Sequence, residues 1–224
     1  MKKPVVDYRE FRLSKISEPR FSHLKLLLGW IGYFLLYVLT ENLIPAEKCY
    51  PVHSVLDDMI PFNEWFVIPY VGWYGLIVFS LGYFLLYNVE NFKGLQSYII
   101  VTQILAMILY IVFPTRQDLR PVEFPRNNIL TDIIGILYSA DTNTGVCPSL
   151  HVAYSLGIAS AWLKEKSASA TAKVLVVIAV ILICMSTMFI KQHSVLDFLA
   201  ALPVCLIAEF IAFRNYYKDR RTNK

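Results

Sequence analysis

The chain has 224 residues, of which 56% are hydrophobic and 17% charged, and its mean hydropathy is +0.50. A soluble domain ordinarily carries about 25% charged residues, so the composition argues against a soluble enzyme and for one polytopic membrane domain. The formal net charge of +4 comes mostly from the two tails, which beside apolar spans reads as cytoplasmic orientation rather than nucleic-acid binding.

In chain order, residues 1–23 form a polar, basic tail, "MKKPVVDYREFRLSKISEPRFSH". It has no short apolar core followed by a small-residue cleavage site, so no cleavable signal peptide is expected. Residues 24–213 form the membrane domain and 214–224 a basic tail. A membrane helix needs about 20 mostly apolar residues. Six stretches qualify: 24–44, 66–87, 95–114, 149–163, 172–190 and 194–213. The fourth is short and mixed, as suits a helix buried among others. The expectation is an all-α bundle of six transmembrane helices.

Lys and Arg in the loops set the orientation. Seven lie in the N-terminal stretch up to Lys25, one (Lys93) in segment 88–94, three in segment 164–173 and five in the C-terminal tail. The other side has only Lys48, Arg116, Arg120, Arg126 and Lys191. Both termini are therefore expected in the cytoplasm, with segments 45–65, 115–148 and 191–193 outside.

Three polar stretches fall on that outer side. "PTRQDLRP" (114–121) carries Arg116 and Arg120, whose guanidinium forks suit phosphate oxygens. "CPSLH" (147–151) puts Ser149 where it can cap the fourth span, with His151 just inside; a helix N-terminus also suits an anion. In "KQHSVLD" (191–197), His193 and Asp197 are four apart, which on a helix stacks them on one face. A carboxylate on one imidazole nitrogen fixes the tautomer and leaves the other nucleophilic. Ionisable residues at a span entrance mark function by default, although His193–Asp197 could equally anchor a helix end and His151 could be an interfacial histidine. Together the three stretches read as a phosphoryl-transfer site. His193 is the nucleophile, Asp197 its orienter and His151 the general acid. Arg120 and Ser149 would hold phosphate.

These motifs resemble the type 2 phosphatidic acid phosphatase superfamily, whose pattern runs Lys, six residues, Arg-Pro; then Pro-Ser-Gly-His; then Ser-Arg, five residues, His, three residues, Asp. Here "RP" at 120–121, "PSLH" at 148–151 and "STMFIKQHSVLD" at 186–197 match in order over nearly the whole chain. Phe113 stands where the family has Lys, Leu150 where it has Gly, and Thr187 where it has Arg. Arg116 and Lys191 are the nearby cations that could substitute. The "PSLH" form without the third-motif Arg is similar to the inositol phosphorylceramide synthase and sphingomyelin synthase branch. The resemblance implies a phosphohistidine on His193, no cofactor and no metal, and a lipid phosphate or phospholipid substrate. Fewer cations suit a diester headgroup better than a monoester. The implied protein is a lipid phosphatase or a phosphotransferase moving an inositol-phosphate-like headgroup to a lipid alcohol. It would sit in a bacterial plasma membrane with its site outside. A catalytically silent protein that binds or translocates lipid is the alternative.

Other residues read more plainly. Glu41 and Glu209 are expected at the interfaces, and Trp65 and Trp73 as interfacial anchors. Asp141, in "DTNTGV", could orient a substrate hydroxyl, although Asp also favours turns. Cys49 and Cys147 share the outer side, where a disulfide between them could persist.

Overall fold

The computed structural model describes residues 3–222, apart from the side chains of Glu41, Asn42 and 219–222. Expectations resting on Lys2, Glu41, Arg220, Arg221 and Lys224 therefore lie outside the described residues. Nine α-helices form among those described: α1 (Leu28–Leu43), α2 (Val55–Met59), α3 (Val67–Tyr87), α4 (Val89–Val112), α5 (Ile129–Ala140), α6 (Leu150–Lys164), α7 (Ala170–Phe189), α8 (Val195–Ala212) and α9 (Arg214–Thr222). The fold is all-α but for a two-residue parallel pairing of β1 (Tyr50–Pro51) with β2 (Thr115–Arg116). Five helical stretches are long and apolar enough to cross a membrane: Ser22–Thr40, Glu64–Tyr87, Val89–Val112, Ala170–Phe189 and Val195–Ala212. This is an integral membrane architecture.

The expected fourth span is α6, with 15 residues, shorter than the ~20 that cross a bilayer unaided. It lies inside the bundle, with Val152, Ala153, Tyr154, Ile158 and Ala161 all buried. Two local expectations change. Segment 88–94 is not a loop: α3 and α4 meet at Asn88, whose side chain accepts from the Asn91 amide at 3.1 Å and so caps α4. Within the expected outer loop 115–148, residues 129–140 form α5. Asn128 caps it, accepting from Leu130 and Thr131, and its apolar face packs Ile134 into a small cluster with Val67, Tyr70 and Ile190.

α4 is central and packs on α1, α3, α6 and α8, while α7 lies on α3 and α6. Gly157 of α6 lets α4 come close: a Cβ there would collide with the ring of Tyr98. α1 is held chiefly through α4 and the 3-10 turn before it. Ile31, Phe34, Leu35, Val38 and Leu39 face outward from it.

Both tails meet at one end of the bundle. The Val5 amide donates to Leu86 O at 2.8 Å, and Tyr8 Oη donates to Leu85 O at 2.9 Å. At the same end Lys164 Nζ pairs with Glu209 Oε1 at 2.5 Å and lies over the Phe213 ring at 4.3 Å. Glu209 is thus a paired residue rather than a lone interfacial carboxylate. His151 and His193 lie at the opposite end.

Candidate active site

The site end is built by helix starts. Ser149 caps α6 and is fully buried, its Oγ accepting from the Val152 amide at 3.5 Å. Its own amide donates to Asp197 O at 3.1 Å, which ties the α6 start to the α8 start. Ser194 caps α8 with Asp197 as the return partner of a capping box. His193 therefore precedes the helix instead of lying on it. The i,i+4 stacking expected from sequence is replaced by cap geometry, with Asp197 Oδ2 accepting both from His193 Nδ1 at 3.1 Å and from the Ser194 amide at 3.0 Å. One carboxylate thus closes the α8 cap and also hydrogen-bonds the His193 ring. Its Oδ1 is buried without a hydrogen-bond partner.

His151 lies in the first turn of α6, its ring stacked on Tyr70 at 4.4 Å and tilted against Trp73 at 4.1 Å. The two histidine rings are 5.7 Å apart at 61°. His151 Nε2 is buried and unpartnered. Both histidines line one cavity of about 560 Å³, walled by α1, α3 and the α5–α6 segment.

Arg120 reaches this cavity only from behind. Its Nη1 donates to Tyr138 O and Asp141 O, both at 3.0 Å, and its Nη2 to Thr142 O at 2.9 Å and Gln192 Oε1 at 2.6 Å. Its guanidinium lies over the Tyr138 ring at 4.6 Å. Burial pulls its pKa down from the usual value, and nearby Asp141 opposes that; an arginine remains charged under either influence. Gln192 was missed by sequence reasoning. Arginine can only donate, so the amide oxygen of Gln192 must face Arg120 and its NH₂ must face away. Gln192 lines the cavity, and that nitrogen is buried without a partner. Its position beside His193 was the available signal.

Asp57 was also missed. It is buried on the first outer segment and accepts from Ser194 Oγ at 2.6 Å, the Val195 amide at 2.7 Å and the Ser54 amide at 2.7 Å. It fastens that segment onto the start of α8. Lys191, whose φ is 56°, donates to Asp57 O at 2.8 Å and Ile60 O at 2.5 Å. Arg116 lies in β2, with Nε 3.3 Å from Asp118 Oδ2 and Nη1 3.4 Å from Ala46 O. Neither cation lines the cavity. His193, His151, Asp197, Ser149 and Arg120 come together; Arg116 and Lys191 are held apart from them.

The departures from the motif also have places. Thr187 is buried, its hydroxyl donating to Cys184 O at 2.9 Å, and its carbonyl accepts from the Gln192 and His193 amides. Phe113 is exposed and stacks on Tyr50 at 4.7 Å. Cys147 is a free thiol, so no bridge joins it to Cys49. Burial, reinforced by the Asp197 charge, pushes its pKa up to about 12, which keeps it protonated and inert at neutral pH. No group of three or more His, Cys, Asp or Glu able to hold a metal ion forms among the described residues.

No family model, curated protein or solved structure matches the chain.

Proposed function

We propose that this is an integral-membrane lipid phosphatase or phosphotransferase of the type 2 phosphatidic acid phosphatase kind, working through a phosphohistidine. The observation that carries the reading is the His193–Asp197 pair facing His151 across one cavity. Nδ1 of His193 is committed to the carboxylate at 3.1 Å, which leaves Nε2 to attack. In the first step a bond forms from Nε2 to phosphorus and the bond from phosphorus to the leaving oxygen breaks. His151, protonated as the negative charge of the phosphate enters beside it, gives that oxygen its proton. In the second step water or a lipid alcohol attacks phosphorus, the N–P bond breaks, and His151 takes the acceptor's proton. Asp197 stabilises the charge on His193 throughout. Gln192, oriented by Arg120, offers the developing oxyanion a donor.

Six spans with both termini in the cytoplasm complete the reading, α6 joining the five long apolar stretches as the fourth in chain order. Support comes from the basic tails meeting at the end away from the histidines. The site then faces the outside of the plasma membrane. A second reading, a silent lipid-binding protein, is favoured by one observation: among the described residues no Lys or Arg lines the cavity.

Purified protein, offered phosphatidate, isoprenyl diphosphate or phospholipids with and without a diacylglycerol or ceramide acceptor, separates these. Free phosphate or a new headgroup-bearing lipid, lost in His193→Ala, is the expected result. Binding with no His193-dependent product would leave the silent reading standing.

A further inference from the structure

The two histidines are held in different ways. His193 has a carboxylate on Nδ1 at 3.1 Å. His151 has aromatic rings. Tyr70 and Trp73 lie three apart on α3 and so share a face, and that face meets the first turn of α6 at His151. The imidazole is stacked on Tyr70 at 4.4 Å and 27°, and lies 4.1 Å from the Trp73 ring at 36°. Trp73, an expected interfacial anchor, is instead buried, as is Tyr70. His151 Nε2 is buried without a partner. The carboxylates at this end serve other groups. Asp197 accepts from His193 and the Ser194 amide, Asp57 from Ser194 Oγ and the Val195 amide, and Asp141 from Tyr37 Oη.

A general acid has to carry its proton before the leaving bond breaks. Out of water, the charged form of a histidine needs compensation, and His151 has no carboxylate to give it. Ring faces give it in another form. Their negative quadrupole density attracts a cation within about 6 Å of the centroid, most strongly at Trp and more strongly where water is excluded. The small angle to Tyr70 lays the imidazole plane over that ring. The delocalised charge then meets the ring face whichever nitrogen holds the proton. A neutral imidazole gains no such attraction.

We infer that Tyr70 and Trp73 are positioning residues for the proton-transfer step: their ring faces hold the imidazolium form of His151 and fix its plane beside the His193 ring, 5.7 Å away. The inference rests on the reading of the histidines as a phosphoryl-transfer pair. It adds how the acid of that pair carries charge without a carboxylate. The imidazolium gives its proton to the leaving oxygen as the P–O bond breaks and becomes neutral. It takes a proton from the acceptor as the N–P bond breaks and is charged again. The rings favour the charged form at the start and end of the cycle.

Leaving-group dependence tests this. The purified full chain in detergent, with and without a diacylglycerol acceptor, is given two kinds of ester. Dodecyl phosphate and didodecyl phosphate release an alkoxide that must be protonated. 4-Nitrophenyl phosphate and dodecyl 4-nitrophenyl phosphate release a phenolate that need not be. Trp73→Leu should lower the ratio of alkyl to 4-nitrophenyl turnover about tenfold. Trp73→Phe, which keeps a ring face and removes the indole N–H, should lower it much less. Tyr70→Leu should lower it in the same direction, and serves in place of Trp73→Leu if that variant does not fold. A partial loss of folded protein cancels in the ratio. On a His151→Ala background, Trp73→Leu should lower the ratio no further, because the group it acts through is gone. An unchanged ratio in Trp73→Leu and Tyr70→Leu, an equal fall in Trp73→Phe and Trp73→Leu, or a further fall on the His151→Ala background would overturn the role of the rings and leave the phosphoryl-transfer reading intact. No His193-dependent product from any of the four esters would overturn both.

Discussion

Gln192 carries the sharpest residue-scale consequence. Its oxygen is fixed by Arg120 at 2.6 Å, its nitrogen is buried without a partner, and the side chain lines the cavity. Gln192→Glu would keep, and strengthen, the bond to Arg120 while replacing the free donor with an acceptor. Turnover should fall about a hundredfold, the size of effect seen when one oxyanion donor is lost. The Tm in detergent should hold, because the partly buried arginine keeps its partner. Full activity in that variant would remove Gln192 from the site. The residue went unnoticed in the sequence because a glutamine beside a motif histidine carries no pattern of its own. The same is true of Asp57, one of two adjacent acids in the first outer segment, whose bond to Ser194 spans 137 positions. His193, Asp197, His151, Ser149 and Arg120 could be singled out as candidates because the proposed chemistry calls for residues of those types. The committed hydrogen bonds of Lys191 and Arg116 were not, since only folding shows which carbonyls a cation meets.

At the scale of elements, apolar length located five of the six expected spans closely. It erred where charge and capping override hydropathy. Glu90 and Lys93 pair at 2.8 Å on the first turns of α4, so a stretch that looks like a loop by polarity continues as helix. α5 was hidden because 12 residues are too few to register as a span. The tail end of the bundle depends on α6 and α8 being clamped by Lys164 and Glu209. Ser160 joins this clamp, bonded to Lys164 and donating to Glu209 Oε2 at 2.6 Å, and Tyr217 donates to Glu209 Oε1 at 2.5 Å. Lys164→Met should cost about 3 kcal/mol, because it strands a partly buried carboxylate. Adding Glu209→Gln should restore much of the loss, since an uncharged pair has less to desolvate. Thermal unfolding of the two variants in detergent measures this. Equal destabilisation by the single and double changes would mean the clamp works through packing alone.

For the whole molecule, two independent lines point the same way. Basic residues concentrate in the tails and their flanking loops, and the fold brings both tails to the end opposite the histidines. In intact cells, Val122→Cys, on the exposed loop at the histidine end, should react with a membrane-impermeant maleimide. Leu13→Cys should react only after permeabilisation. The reverse pattern would put the histidines in the cytoplasm.

The proposed chemistry turns on a covalent phosphoryl group on His193. The most direct measurement is to quench the purified protein during turnover of a lipid labelled at phosphorus and to analyse the chain for acid-labile, base-stable phosphate. The label is expected on His193 and should be absent in His193→Ala. Label should build up in His151→Ala when the leaving group needs no proton, because the second step still requires a base. His193-dependent product formed with no label on the protein under any quench would contradict it, and would leave His193 as a base activating water for direct attack.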